Sequence, residues 1–499
     1  MSLLKRIARH AETRPQAPAL VSSMLTLDYA GLYDSISLIV NWLRRLDVET
    51  LALDLDNGPA WAVIDLAAMA EEVALVPLPP FFSPQQVCHA LNTSGVSMVI
   101  TDQPERFCQR AAGLELQETA TLGLFGRTLH CLRTPPTERR IPHGIQKVTF
   151  TSGTTAEPKG VLLSWRQIEP VVTSLAAVEA VRDDDRHVAL TPLSVLLENI
   201  AGLYLPLWCG ASVALPSLAE TGLLGAAGLD SARMLQTLAR YGATSAIFSP
   251  QMLQGAVASL AAGESPPAGL RFIALGGAAV SRRLLDEAGR LGLPVYEGYG
   301  LSESASVVTL NHPAAHRTGS VGKPLQHMQL RIADDGEVLI RGNRFAGYLG
   351  EPQRDDEEAW WHTGDIGYLD DAGFLHLQGR RRHIFITAFG RNVSPEWVER
   401  ELILEPAIAQ AALFGEARPW NVAVIVPAGD AGEHEIEAAV QRVNRSLPDY
   451  ARVGRWFAAD MPFTIANGQL SGTGRLRRNA IHHHYESRMQ ALYRQELAS

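Results

Sequence analysis

A stretch early in the chain, TFTSGTTAEPKGVLLS (149–164), combines short hydroxyl side chains, a glycine and a lysine. Glycine lets the backbone approach a ligand closely, and hydroxyl, amide and ammonium groups are donors that phosphate oxygens accept. The stretch therefore favours a phosphate loop. A surface turn of small polar residues is the alternative, but it would require neither the lysine nor the preceding strand KVTF. The candidate binding residues are Thr151, Ser152, Gly153, Thr154, Thr155 and Lys159.

The stretch differs from the P-loop of nucleoside triphosphatases, which reads G-x-x-x-x-G-K-[ST]. Gly153 precedes Lys159 by six residues, as that pattern requires. However, Pro158 occupies the position of the second glycine, and Gly160 occupies that of the metal-binding hydroxyl. A P-loop enzyme, which would release phosphate rather than pyrophosphate, is therefore disfavoured.

The composition is that of a soluble globular protein, with 46% hydrophobic and 19% charged residues in a chain of 499. A chain of this length exceeds one comfortable core, so two or more domains are expected. The formal net charge of −9 and the absence of a long Lys/Arg block argue against a nucleic-acid partner. Any bound phosphate is then held by local groups.

Neither a membrane anchor nor a disulfide framework is indicated. Charges at Lys5, Arg6 and Arg9 interrupt the apolar N-terminal run, which is atypical of a signal peptide. The most apolar stretch, AWAVIDLAAMAEEVALVPLPP (60–80), carries carboxylates and ends in prolines, which predicts a helix followed by a strand or turn, not a membrane span. The cysteines are scattered without metal-ligand spacing, which favours the reducing cytoplasm. They are Cys88, Cys108, Cys131 and Cys209.

Helix-period segments alternate with short apolar runs over the first two thirds of the chain, as in HVALTPL, ATSAIFSP and RFIALGG. This alternation predicts α/β layers with buried parallel strands. After about residue 330 the pattern changes to hairpins, which turn at Asp335-Gly336 and around 371–373. Ser394, as the N-cap, and Pro395, in the first turn, then mark a helix start. We place a domain boundary near residue 380, at the basic run that precedes this helix.

The loop TSGTTAEPKGV resembles the [YF]TSGTTGxPKG signature of the AMP-forming adenylating enzymes, although Ala156 replaces a glycine. This superfamily comprises acyl-CoA synthetases, luciferases and nonribosomal-peptide adenylation domains. Further blocks follow in the family's order, so the resemblance runs from about residue 147 to 481, and FITAFGRNVSPEWVE looks most like the long-chain fatty acyl-CoA synthetases. These blocks are GGAAVSRRLL (276–285), YGLSES (299–304), RGNRFAGYL (341–349), HTGDIGYLDDAGFLHLQGR (362–380) and the segment 380–395.

The resemblance implies a two-domain α/β architecture. Residues 1–380 would form a large N-terminal domain of layered α/β subdomains with a β-barrel-like part. Residues 381–499 would form a small, mobile α+β C-terminal domain. Arg382 falls at the family's hinge position, where Asp or Lys is usual, and Gly390 falls beside the tunnel for the thiol substrate.

The resemblance also implies that the large domain binds ATP and Mg²⁺. Glu303 would be the metal ligand, since hard cations prefer oxygen donors beside a triphosphate. Asp365 would accept hydrogen bonds from both ribose hydroxyls. Tyr299 offers a flat face to adenine, and Ser302 would contact the α-phosphate. The remaining nucleotide-binding residues implied in this way are Gly277, Gly300 and Arg380.

Two departures from the family pattern bear on the chemistry. In TPLSVLLENIAG (191–202), Val195 stands where amino-acid-activating members have an aspartate for the substrate ammonium. An apolar acyl or aryl acid therefore fits better than an α-amino acid. Near the C-terminus, register from Asn467-Gly468 puts Arg475 at the position of the lysine that bridges the carboxylate and the α-phosphate. Arginine keeps the charge, but its planar guanidinium is larger and differently aimed.

The leading hypothesis is a carboxylate:thiol ligase in which Thr151, Lys159, Glu303 and Arg475 act in catalysis. A carboxylic acid is converted to acyl-AMP with release of pyrophosphate, and the acyl group passes to CoA or to the phosphopantetheine of an acyl carrier protein. The alternative is a catalytically impaired acyl-adenylate or nucleotide-binding protein, motivated by Arg475 and Val195 together.

Overall fold

The computed structural model describes residues 2–135, 140–151, 158–224, 228–277, 280–351, 359–471 and 474–494. The chain divides into two compact units. The first and larger unit comprises Met1–Ala278, Glu287–Gln329 and Arg341–Trp360, and the second comprises Ala279–Asp286, Leu330–Ile340 and Trp361–Ser499. The predicted α/β fold with a large N-terminal and a small C-terminal domain is confirmed. The boundary near residue 380 and the hinge at Arg382 stay predictions.

The helices are α1 (Leu3–Thr13), α2 (Tyr29–Leu46), α3 (Pro59–Ala70), α4 (Pro84–Ser94), α5 (Pro104–Arg110), α6 (Trp165–Glu179), α7 (Leu205–Cys209), α8 (Ser231–Tyr241), α9 (Pro250–Ala261), α10 (Arg282–Arg290), α11 (Pro395–Leu402), α12 (Glu433–Ser446) and α13 (Arg478–Arg494). A π-helix spans Glu198–Tyr204, and 3-10 turns span Ser302–Ser304 and Asp449–Ala451.

The strands are β1 (Pro18–Val21), β2 (Thr26–Asp28), β3 (Thr50–Asp54), β4 (Ala74–Pro77), β5 (Met98–Thr101), β6 (Gln117–Leu124), β7 (Arg127–Arg133), β8 (Lys147–Thr151), β9 (Lys159–Leu163), β10 (Arg186–Val188), β11 (Ser212–Ala214), β12 (Leu223–Leu224), β13 (Gly228–Leu229), β14 (Ser245–Phe248), β15 (Phe272–Leu275), β16 (Val295–Tyr299), β17 (Thr309–Leu310), β18 (Lys323–Pro324), β19 (Met328–Ile332), β20 (Glu337–Gly342), β21 (Gly347–Tyr348), β22 (Trp361–Leu369), β23 (Leu375–Arg380), β24 (Phe385–Ile386), β25 (Asn392–Val393), β26 (Ile408–Phe414), β27 (Asn421–Pro427) and β28 (Val453–Ala458).

Local chemistry sets where helices begin and end, as α4 illustrates. The Ser83 hydroxyl accepts from the Gln86 amide at 3.3 Å, and the Gln86 side chain accepts from the Ser83 amide at 3.0 Å. This capping box satisfies two amide donors that an open helix end leaves unpaired. Pro84 occupies the first turn, and Gly95, at φ 61°, ends the helix in the left-handed conformation.

Two large sheets carry the first unit. One has eight strands in the order β21-β9-β8-β4-β3-β5-β7-β6, with parallel pairing from β8 through β4 and β3 to β5. The other has nine, in the order β18-β17-β16-β15-β14-β10-β11-β1-β2. The three apolar runs that predicted parallel strands form β10, β14 and β15, which pair in parallel as neighbours. In such sheets the carboxyl ends of the strands are where ligands usually bind.

The predicted hairpins lie mostly in the second unit. A four-stranded sheet has the order β19-β20-β22-β23, and its β20–β22 and β22–β23 pairs are antiparallel. Further on, β26, β27 and β28 form a three-stranded sheet with an apolar cluster on each face. Ala411 and Leu413 face the cluster shared with α11 and α12, whereas Ala412 faces the one shared with α13. This alternation is the period of two expected of a strand buried on both sides.

Two local predictions have instructive outcomes. The apolar stretch 60–80 forms α3 followed by β4, as predicted. Ser394 is the N-cap of α11, but its side chain makes no capping bond, and its hydroxyl is buried without a partner among the described residues.

No helix in the described ranges combines the length and apolar character needed to cross a membrane.

Candidate active site

The predicted phosphate loop connects two strands of a hairpin. Strands β8 and β9 pair antiparallel, with Thr151 opposite Lys159, and the Thr151 hydroxyl donates to the Lys159 carbonyl at 3.4 Å. A P-loop instead joins a strand to a helix, so this topology differs from a P-loop as the sequence does. The loop residues Ser152, Gly153, Thr154 and Thr155 lie outside the described residues.

A compact polar cluster brings Lys159 and Glu303 together. The Lys159 ammonium lies 2.8 Å from a Glu351 carboxylate oxygen and 4.5 Å from the centre of the Tyr348 ring. The Tyr348 hydroxyl donates to Glu303 Oε1 at 2.7 Å. Lys159 and Glu303 thus both contact Tyr348, the first at its ring and the second at its hydroxyl. Such a pair suits a metal-bound triphosphate, whose oxygens need both a cation and a metal ligand.

Glu303 lies on a tight, strained turn. Strand β16 ends at Tyr299, and Glu303 is in the 3-10 turn that Ser302 begins. Ala305 and Ser306 have positive φ values of 52° and 93°, which non-glycine residues rarely adopt. Strain of this kind persists only where surrounding structure enforces it, and it often marks functional sites.

Gly300 makes this turn sterically feasible. A Cβ atom at Gly300 would lie 1.7 Å from the Ser306 carbonyl oxygen. We therefore expect Gly300→Ala to lower the free energy of unfolding by about 3 kcal/mol or more, because backbone must move. Thermal unfolding followed by circular dichroism measures this. The matched control is Gly289→Ala in α10, where the added Cβ would meet nothing within 4 Å. Equal melting temperatures for the two variants would contradict the steric argument.

Gly277 and Tyr299 lie at the carboxyl ends of neighbouring strands: Gly277 is two residues after β15, and Tyr299 is the last residue of β16. Strands β15 and β16 pair in parallel, with Leu275 opposite Glu297. Gly277 is exposed at φ 92°, and Tyr299 is buried at 9% exposure. The sheet thus places both residues at one edge, while the predicted stacking of Tyr299 on adenine stays a prediction.

The buried Asp365 and the half-buried Arg380 form an ion pair in the second unit. They lie opposite each other on β22 and β23, and Arg380 Nε lies 2.9 Å from Asp365 Oδ1. The Thr363 hydroxyl accepts from the Asp365 amide at 3.1 Å, and its carbonyl accepts from Arg380 at 3.1 Å. Asp365 is only 6% exposed, so its carboxylate is held in one orientation. A fixed carboxylate is what bidentate recognition of two hydroxyls needs.

Arg475 belongs to the same electrostatic neighbourhood. The residue is exposed, but desolvation of its guanidinium and the nearby Arg380 lower its pKa, while Glu396 and Asp365 oppose that shift. Desolvation and Arg380 likewise lower the pKa of Arg382, which is also exposed. The structure therefore groups Asp365, Arg380, Arg382 and Arg475 as residues whose charges act on one another.

Gly390 lies in the turn of the hairpin formed by β24 and β25. Its φ is 73°, and its amide donates to the Thr387 carbonyl at 2.9 Å. Ile386 and Phe389 beside it are 52% and 74% exposed, respectively. The turn therefore presents apolar side chains to solvent, and its predicted role beside a thiol tunnel stays a prediction.

Sequence reasoning missed two members of the Lys159 cluster. Tyr348 lies within the quoted block RGNRFAGYL, and Glu351 follows it closely, but neither received a role. The block RGNRFAGYL could have identified both residues, because its strand β21 pairs with β9, the strand that begins at Lys159. Recognising the pairing requires tertiary information.

A nucleotide-binding protein of mixed α/β fold is the class that these features fit. Residues 7–349 match the model of the AMP-binding enzyme family, and residues 383–497 match that of the AMP-binding enzyme C-terminal domain. The chain therefore belongs to the AMP-binding enzyme family.

One curated protein illustrates the likeness in sequence. Long-chain-fatty-acid–CoA ligase FadD15 of Mycobacterium bovis is 34% identical over 249 residues, covering 44% of this chain and 42% of that protein. The chain thus matches less than half of the length of this curated relative.

Two solved structures share the fold. The anthranilate CoA ligase AuaEII in complex with anthranoyl-AMP has a TM-score of 0.79 at 20% identity, covering 100% of this chain and 98% of that one. The o-succinylbenzoate coenzyme A synthetase MenE from Bacillus subtilis, in complex with ATP and magnesium ion, has a TM-score of 0.73 at 22% identity, covering 95% and 98%. At such identities the likeness concerns the fold alone.

Proposed function

We propose that this protein uses ATP to convert an apolar acyl or aryl carboxylic acid to acyl-AMP and then transfers the acyl group to the thiol of CoA. The observation that carries the proposal is the contact chain Lys159–Tyr348–Glu303 beside the phosphate hairpin, in a member of the AMP-binding enzyme family. The fatty-acid, anthranilate and o-succinylbenzoate ligases among its relatives support this class of substrate.

The residues present fit MgATP. The Lys159–Glu351 pair has side chains that are 52% and 44% exposed, so breaking it in favour of a phosphate costs little free energy. Glu303 supplies the oxygen ligand that Mg²⁺ prefers, and the ion neutralises phosphate charge when bound. Asp365, buried and held by Arg380, suits the ribose hydroxyls.

The mechanism we infer relies on positioning and charge. Lys159 and Thr151 hold the β- and γ-phosphates, and Arg475 balances the negative charge of the acid and the α-phosphate. The carboxylate oxygen attacks the α-phosphorus, the bond to pyrophosphate breaks, and acyl-AMP forms. The thiolate of CoA then attacks the acyl carbon and AMP leaves. In this proposal a rotation at Arg382 brings Gly390 beside the thiol path for the second step.

The acid is proposed to be apolar because Val195 offers no charge to an α-ammonium group. Val195 is half-buried in the segment 191–202, where an aspartate would be needed to pair with an amino acid. CoA is favoured as acceptor because the named relatives are CoA ligases. The phosphopantetheine of a carrier protein is the second acceptor to test.

We expect magnesium-dependent ATP–pyrophosphate exchange in the presence of medium- or long-chain fatty acids or benzoate-type acids. We expect none with α-amino acids, since an ammonium would be buried unpaired beside Val195. Radiolabelled pyrophosphate exchange over an acid panel measures this, and mass spectrometry detects the thioester after CoA is added. Chelation of Mg²⁺ with EDTA should abolish the exchange.

The panel also tests the alternative. In that case the protein binds an acyl-adenylate or a nucleotide but does not catalyse formation of the acyl-adenylate. Arg475 in place of the usual lysine is the observation that favours it. If the protein binds ATP but shows no pyrophosphate exchange with any acid of the panel, that result would contradict the ligase proposal. It would support the impaired alternative.

A further inference from the structure

A charged cluster is buried at the end of β8 remote from the phosphate loop. Lys147, the first residue of β8, donates to Asp65 Oδ1 and to the Tyr204 hydroxyl, each at 2.8 Å. It also donates to the Asn199 side-chain oxygen. The Tyr204 hydroxyl and the Asn199 side-chain Nδ2 both donate to Asp65 Oδ2, at 2.6 and 3.0 Å. Lys147 and Asp65 are each 2% exposed, so water cannot satisfy them.

The π-helix Glu198–Tyr204 makes this cluster geometrically feasible. Asn199 and Tyr204 are five residues apart. In an α-helix, with 3.6 residues per turn, residues five apart point to different sides. A π-helix bonds residue i to residue i+5, which stacks them on one face. The rare helix type therefore brings both side chains to Lys147.

The other face of the π-helix is fixed as firmly. Glu198 accepts from the Thr191 amide and hydroxyl at 3.1 and 2.6 Å, and its other oxygen lies 2.8 Å from His187 Nε2. A Cβ atom at Gly202 would lie 2.1 Å from the Glu198 carboxylate, so glycine leaves room for it. Thr191 begins the segment that contains Val195. The π-helix therefore connects Thr191, through Glu198, with Lys147 of the hairpin strand, through Asn199 and Tyr204.

Stability alone is a weak reason for this cluster. Burying two opposite charges carries a large desolvation penalty, and apolar replacements of equal volume are often as stable. Fixing one register is the best-attested use of such groups. Strand β8 rises about 3.3 Å per residue, so the cluster lies roughly 13 Å along the strand from Thr151. An anchor there fixes the position of both hairpin strands, because β9 pairs with β8 along its whole length.

We propose that Lys147, Asp65, Asn199 and Tyr204 form a positioning network that holds the phosphate hairpin in the geometry that binds the β- and γ-phosphates of ATP, an inference that rests on the proposed function. The network acts through β8 on Thr151 and Lys159. It therefore sets the affinity for ATP but has little effect on AMP, which lacks those two phosphates. Small misplacements of binding groups can lower affinity or rate strongly.

The test is Tyr204→Phe, which removes one hydroxyl and leaves the Lys147–Asp65 pair in place. MgATP and AMP affinities are measured by isothermal titration calorimetry, together with the melting temperature. We expect MgATP to bind about three- to tenfold more weakly, a loss within the free energy of the two hydrogen bonds that the Tyr204 hydroxyl makes, and AMP to change by less than about twofold. Asn199→Ala, which removes two bonds of the network, is expected to show the same ATP-selective loss and replaces Tyr204→Phe if that variant does not fold.

Tyr29→Phe is the matched control. Tyr29 is equally buried, at 0% exposure, and its hydroxyl donates to the Ala211 carbonyl at 2.8 Å, away from the hairpin. Tyr29→Phe loses one hydrogen bond where Tyr204→Phe loses two, so it should lower the melting temperature by a smaller amount and without ATP-selective weakening. Unchanged MgATP affinity in both network variants, or equal loss for MgATP and AMP, would overturn the network's role. Wild-type protein that binds neither nucleotide would instead overturn the proposed function, and the network's role with it.

Discussion

Replacing Glu303 by glutamine is expected to lower the rate of ATP–pyrophosphate exchange by about 100- to 1000-fold, the size of effect seen when one preorganised electrostatic group is removed. Glutamine keeps the shape of the side chain and an oxygen that accepts from the Tyr348 hydroxyl, now 2.7 Å from Glu303. The substitution therefore isolates the negative charge. Exchange measured over a range of MgCl₂ concentrations should show a higher magnesium requirement, since a neutral amide is a weaker ligand.

Glu351→Gln is the control for this experiment. The Glu351 carboxylate belongs to the same cluster, but it pairs with Lys159 and not with the Tyr348 hydroxyl, and the pair is exposed. Exposed pairs contribute about 0 to 1 kcal/mol, so the exchange rate should change by less than about fivefold. Equal losses in the two variants would show that the cluster matters only as a whole. A fully active Glu303→Gln variant would rule out Glu303 as the metal ligand.

The parts of the fold that the sequence predicted depend on local patterns. The strands β10, β14 and β15 follow from short apolar runs with Gly and Pro at their borders. The hairpin turn at Asp335-Gly336 follows from residue types, since Gly336 adopts φ 82° and Asp335 accepts from the Glu337 amide. Each signal lies within a few residues of the structure that it predicts.

The missed features depend on contacts between distant parts of the chain. Lys159 and Glu351 are 192 residues apart, and only the pairing of β21 with β9 brings them together. Ser394 has the right type for an N-cap, yet it packs against Gly379, where an added Cβ would lie 2.5 Å from its hydroxyl. Its local preference is overridden by that packing. The contacts of the π-helix side chains Asn199 and Tyr204 with Lys147 and Asp65 likewise join distant parts of the chain, so no local pattern indicates them.

Arg475 is the residue that distinguishes the ligase proposal from the impaired alternative. Its guanidinium shares its surroundings with two further arginines, Arg380 and Arg382, and with the carboxylates Asp365 and Glu396. Its backbone is fixed by Ser471, whose hydroxyl accepts from the Arg475 amide at 3.1 Å. The three arginines repel one another. A ligand that brings two negative charges, one on the acid and one on the α-phosphate, therefore stabilises the Arg475 cation.

We expect Arg475→Ala to lower the exchange rate by about 30- to 1000-fold, equivalent to roughly 2 to 4 kcal/mol of transition-state stabilisation. Arg475→Lys is expected to lower it less, because the charge remains but the ammonium cannot reproduce the planar, two-pronged donor geometry. Exchange assays with saturating acid and ATP measure both effects. Thioester formation from chemically supplied acyl-AMP and CoA should change little, since that step does not need the α-phosphate charge balanced for attack.

Arg477→Ala separates this specific effect from the loss of any nearby charge, because Arg477 is an exposed arginine two residues further along. It should retain exchange within about threefold, as expected for a surface charge. A large gain of exchange in Arg475→Lys would overturn the ligase assignment for the native chain, since it would mean that arginine blocks a site built for lysine. A loss in both Arg475 variants with an unchanged Arg477→Ala would identify Arg475 as the working cation. In that case Arg475 would perform the role of the family's usual lysine as well as occupy its position.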